Sequence, residues 1–154
     1  MYKRQGVTAA DAMGFEAVVE AIARERGGVP GLWKPLGRLL GSCHDDGPCR
    51  EQLLAEAEAA AGEAGLVPVL EVLTAGTLGD LDDPAFATAL LFADELLAGS
   101  SPEQLAALLE ALQPGLTAEE TRRVLRAEAG VGAQRVDRSL RRRVDAGRRD
   151  RLGR

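Results

Sequence analysis

The chain has 154 residues, a formal net charge of −5, 45% hydrophobic and 3% aromatic side chains. That length fits one domain able to bury about two thirds of its unfolded surface, and the hydrophobic share excludes a disordered chain. No apolar run approaches the roughly 18 residues of a membrane span, two cysteines do not make a secreted disulfide scaffold, and no segment reads as a signal peptide, so a reducing cytoplasm is the expected compartment.

The charge is segregated. Residues 134–154 hold nine arginines against Asp137, Asp145 and Asp150, a balance of +6, which leaves −11 for residues 1–133. Three regions are expected. Met1-Tyr2-Lys3-Arg4-Gln5 is what GTG TAT AAG AGA CAG encodes, which resembles the end of a transposon-based sequencing adapter, and is read as a library scar. Residues 6–133 form an acidic helical bundle, and residues 134–154 a basic C-terminal helix and tail. Such a tail suits an acidic protein partner, or pairs with the chain's own acidic face. It has no aromatic residue for base stacking, so nucleic acid is not expected.

In chain order, the predicted elements are all helical. Phe15, Val18, Val19 and Ile22 fall at helical spacing over 9–26, with Gly27-Gly28 as the stop. Residues 31–40 place Leu32, Leu36, Leu39 and Leu40 on one side, with Pro35 expected near the first turn. Gly47-Pro48 opens a helix running to about Ala64, with Leu53, Leu54, Ala57, Ala60 and Ala61 inward and Gly65 as terminator. A brief helix over 68–75 and a loop over 76–82 follow, and Asp83-Pro84 supplies a cap and first-turn pair for a helix carrying Phe86, Leu90, Ala93 and Leu97. Ser101 to Gln104 and Thr117 to Glu120 read as capping boxes for two further helices. Gly130 and Gly132 separate the second of these from the tail, where Val136, Leu140 and Val144 form one narrow apolar stripe. Connections this short predict a compact all-α bundle of about seven or eight short helices.

Glu63-Ala64-Gly65-Leu66 with Val69 and Val72-Leu73, followed by Asp83 to Leu96, resembles the middle of the alkylhydroperoxidase D and carboxymuconolactone decarboxylase family. There a helix carrying the active site ends in an AGL-like turn, and a later helix reads like AALxFAxxL. Leu116 to Glu120, through Arg135-Val136-Asp137, is similar to that family's later helix and its closing segment. The resemblance implies an alkylhydroperoxidase D-like bundle, a homo-oligomer and thiol-dependent oxidoreductase chemistry. The family works through C-x-x-C with a histidine four residues beyond the second cysteine. Here, if Cys49 is the second cysteine, Asp46 and Leu53 occupy the other two positions; if it is the first, Gln52 and Glu56 do; starting from Cys43, they are Asp46 and Arg50. The chain departs from the motif in every register, so the family's relay is absent and its peroxide-reducing or decarboxylating activities do not carry over.

Both cysteines and the only histidine nevertheless lie within Cys43-His44-Asp45-Asp46-Gly47-Pro48-Cys49. Cys49 falls in a helix first turn, where open N–H groups and the macrodipole favour a thiolate. Cys43 can act as the resolving thiol and His44 can take a proton. Asp45 and Asp46 oppose thiolate formation, and the segment also reads as a capping loop in which Cys49 packs as a small apolar residue. Adjacent Cys and His rarely share one ion and no second cluster completes a zinc site, so no metal is expected. Trp33 is expected in the core. Asp94-Glu95 reads as a carboxylate pair, a solvated edge, or the partner of arginines in the last helix. With no phosphate loop, G-x-S-x-G or H-E-x-x-H motif, no cofactor is expected.

Overall fold

A computed structural model describes residues 28–42 and 47–152. The helix expected over 9–26, the segment 1–5 and residues 43–46 lie outside them. The described residues form helices α1 Pro30–Gly37, α2 Gly47–Ala64, α3 Val69–Thr74, α4 Pro84–Gly99, α5 Pro102–Ala111, α6 Ala118–Val124 and α7 Ala133–Leu152, with no strand among them. Two short π-helical segments, Arg38–Ser42 after α1 and Leu125–Ala129 after α6, extend their helices.

Local chemistry sets most boundaries. Asp83 accepts from the Ala85 N–H at 2.9 Å to start α4. Ser101 and Thr117 form complete capping boxes with Gln104 and Glu120. Gly65, at φ +91°, ends α2, and its N–H donates to the Ala61 carbonyl at 2.8 Å; the left-handed region it occupies disfavours any residue with a Cβ. Pro35 lies in the second turn of α1, later than expected, so it leaves the Gly31 carbonyl without its i+4 donor. Beyond that point the helix loosens to π pairing, which the sequence pattern did not announce.

The middle of the bundle is α4. The sequence pattern assigns it one inward stripe, but every residue from Phe86 to Ala93 is buried, as is Leu96, whereas Leu97 is only partly covered. The reason is that α1, α2, α3 and α7 all pack on it. An uncharged run such as Ala85 to Ala93 meets apolar neighbours on every side at no desolvation cost.

Two close approaches fix how the other helices sit. A Cβ on Gly31 would lie 2.2 Å from the Val72 carbonyl oxygen, so α1 lies backbone against backbone on α3. On α2, Ala57 and Ala61 are fully covered, and Gly62 and Gly147 face α7 and α2 respectively. These two helices run antiparallel: Glu58 meets Arg143, whereas the segment after α2 meets Asp137 through the Val69 N–H. The apolar stripe of α7 is core as expected, with Val136, Leu140 and Val144 buried. No described helix is long and apolar enough to cross a membrane.

Candidate functional site

Of the three residues singled out in the sequence, the structure describes Cys49; Cys43 and His44 lie outside the described residues. Cys49 sits in the first turn of α2, which carries no acidic residue. It is partly buried, packs against the hydrophobic core and is disulfide-bonded. Cys43 is the chain's other cysteine. The first N–H groups of α2 lack intrahelical acceptors, as at every helix start, and Pro48 removes one of them.

The next residue, Arg50, leads from this turn into an ionic cluster shared by α2, α4 and α7. Its guanidinium pairs with Asp94 at 3.2 Å. Arg143 of α7 is the hub: its Nε donates to Glu58 at 3.0 Å, its Nη1 to Asp94 at 3.0 Å, and Glu95 stands at 4.0 Å. Glu95 in turn accepts from the Ser139 hydroxyl at 3.1 Å. Burial works against the charge of Arg143, but its hydrogen bonds to Glu58 and Asp94 outweigh that and hold the guanidinium above its ordinary pKa. Of the three readings open for Asp94-Glu95, partners of last-helix arginines is the one observed. Every carboxylate of the cluster has a donor, so it ties α7 to α2 and α4.

Two further polar ties hold the α2–α3 connection. The Asp137 carboxylate accepts from the Val69 N–H at 2.8 Å, capping α3 from another helix, because Pro68 before it has no side-chain acceptor. The fully buried Thr88 hydroxyl accepts from the Val67 N–H at 3.1 Å and donates to the Pro84 carbonyl at 2.8 Å. In the sequence Asp137 stands as one acid in a basic tail and as part of the Arg135-Val136-Asp137 resemblance, neither of which gives it a partner. Its role depends on a contact 68 residues away in sequence.

Trp33, expected in the core, is only partly buried and packs against it, and its Nε1 donates to the Gly28 carbonyl at 2.8 Å. Its ring also lines a cavity of about 260 Å³ closed by Leu73, Thr74, Gln113 and Leu116. Among the described residues, no three His, Cys, Asp or Glu side chains converge as metal donors. Comparison with known protein families, with characterised proteins and with solved structures finds no match for this chain.

Proposed function

We propose that the protein is a thiol–disulfide oxidoreductase, a divergent relative of the alkylhydroperoxidase D-like family, with Cys49 as attacking thiol, Cys43 as resolving thiol and His44 as proton acceptor. The observation carrying this reading is a disulfide-bonded Cys49 in a helix first turn. A sulfur released there as a thiolate faces the positive end of an 18-residue helix.

In the reduced form, His44 takes the Cys49 proton and the Cys49 thiolate attacks a substrate disulfide, forming a mixed disulfide and expelling one substrate sulfur as a thiolate that takes a proton. The Cys43 thiol, once deprotonated, then attacks the Cys49 sulfur and expels the second substrate sulfur as a thiolate, closing the protein disulfide. Two electrons pass from the protein dithiol to the substrate disulfide, which leaves as a dithiol, and a dithiol reductant restores the protein by exchange.

Thiol labelling of the reduced protein across pH 5 to 9 tests this. Cys49 is expected to react faster than a free cysteine at neutral pH, and Cys43→Ser is expected to trap a mixed disulfide on Cys49. A labelling rate no faster than a free thiol overturns the proposal.

One observation favours a second reading, a non-catalytic helical module that self-associates or binds an acidic protein. The outer face of α7 exposes Arg141, Arg142, Arg148, Arg149 and Arg151, none of which pairs with a carboxylate among the described residues. Because the inner face of α7 is core, charge removal rather than truncation is the test. Arg141→Gln/Arg148→Gln is expected to abolish assembly in size-exclusion chromatography if this face is the contact, and unchanged elution removes it.

A further inference from the structure

At the opposite end of α7 from the Cys49 turn, four arginines gather. Arg122 of α6 and Arg126 of the following π turn stand one helical turn apart, and Arg135 and Arg138 lie on the first turns of α7. All four line one cavity of about 520 Å³, and no carboxylate lines it.

Of the nearby acids, one offsets a single arginine of the four and the other is engaged elsewhere. Glu119 pairs with Arg122 and lies outside the lining, and Asp137 is turned to the Val69 N–H. Arg126, Arg135 and Arg138 have no carboxylate partner among the described residues. Like charges a helical turn apart repel, so this corner raises the free energy of the empty protein, and a bound anion reverses the sign.

The backbone supports the same charge. Gly132, which precedes α7, has no side chain to cap it, and the first turn holds no acid. A Cβ at residue 132 would come within 3.2 Å of the Arg126 guanidinium, so glycine there lets that guanidinium lie against the loop.

We infer that this corner binds a small phosphorylated metabolite through its phosphate oxygens. Guanidinium groups present paired N–H donors that match phosphate bidentately. The volume falls within the range of small-molecule sites and exceeds what a lone inorganic ion fills. No aromatic side chain lines the cavity, so it has no platform for stacking a nucleic-acid base.

Calorimetric titration of the full chain with pyrophosphate, at about 0.15 M sodium chloride, tests the site. Saturable binding is expected, weakened at least tenfold in Arg126→Gln/Arg135→Gln and unchanged in Arg38→Gln, which lies outside the cavity lining, with circular dichroism confirming the fold. If the first double variant does not fold, the exposed Arg138→Gln alone is expected to weaken binding. Equal affinity in all the folded variants, or a heat signal reproduced by sodium chloride at equal ionic strength, overturns the site. A single-stranded oligonucleotide that binds more tightly than pyrophosphate and is lost in the same variant overturns the small-ligand assignment in favour of nucleic acid.

Discussion

The two ends of α7 use the same side chain in opposite ways. Toward its C-terminal half, Arg143 is about three-quarters buried and satisfied by carboxylates from α2 and α4. At its N-terminal end, Arg135 and Arg138 meet Arg122 and Arg126 around an open cavity with no acid in its lining. Residue type is constant along the helix, and what differs is the neighbour that tertiary packing supplies. An arginine closed in by carboxylates holds helices together, whereas one left facing other arginines is available to a ligand.

Removing the hub breaks the first half of that contrast with the largest effect. Arg143→Met keeps the apolar stem but leaves Glu58 and Asp94 half-buried without their shared donor, and unfolding by denaturant is expected to show a loss of about 2 kcal/mol. A loss within about 0.5 kcal/mol would mean that the apolar stripe alone orients α7.

Asp137 sits between the two ends and is the next lever. Asp137→Ala strips α3 of its cap and is expected to cost about 1 kcal/mol in the same measurement. It also removes a negative charge from the first turns of α7, so pyrophosphate binding is expected to hold or strengthen in that variant while stability falls.

The arginine corner should behave differently. Arg126→Gln/Arg135→Gln relieves like-charge repulsion, so stability without ligand is expected to change by no more than about 0.5 kcal/mol, and upward. A clear destabilisation would show that these arginines are structural, and the contrast between the two ends would collapse.

The smallest effect concerns pH at α6, which carries Arg122. Hydrogen bonds from the backbone and side chain of Thr117 hold Glu120 below its ordinary value of 4.5, helped by Arg123. A depressed folded value means that the stabilisation is present above 4.5 and lost as pH falls through the folded value. Melting curves of wild type and Glu120→Gln are therefore expected to converge on acidification and to stay separated at neutral pH.

Much of this was legible in the sequence because it is local. The capping boxes at Ser101 and Thr117, the Asp83-Pro84 start of α4 and the Gly65 stop each depend on residues within one turn. The Val136, Leu140 and Val144 stripe is a matter of helical period. The encirclement of α4 was half legible, since an uncharged run tolerates burial on all sides but does not reveal which helices supply it. The π segments escaped because no pattern of residue types marks them.

For the candidate site, the sequence drew attention to Cys49 and placed it in a helix first turn, where it lies, and the structure adds its disulfide and its partial burial. Sequence offered three readings of Asp94-Glu95 without choosing, because the choice depends on Arg143, 49 and 48 residues farther along the chain.

By itself the sequence determined helical structure for the described residues, most of their helix boundaries, most inward faces outside α4 and the split between an acidic body and a basic end, because each follows from backbone hydrogen bonding, side-chain period or charge count over short stretches. Only the tertiary structure decided that Asp137 caps α3, that Gly31 lets α1 touch α3, and that one arginine of α7 is neutralised while others enclose a cavity. Those outcomes depend on which distant groups share a few ångströms. Such energies arise between elements, and no window of sequence contains both partners.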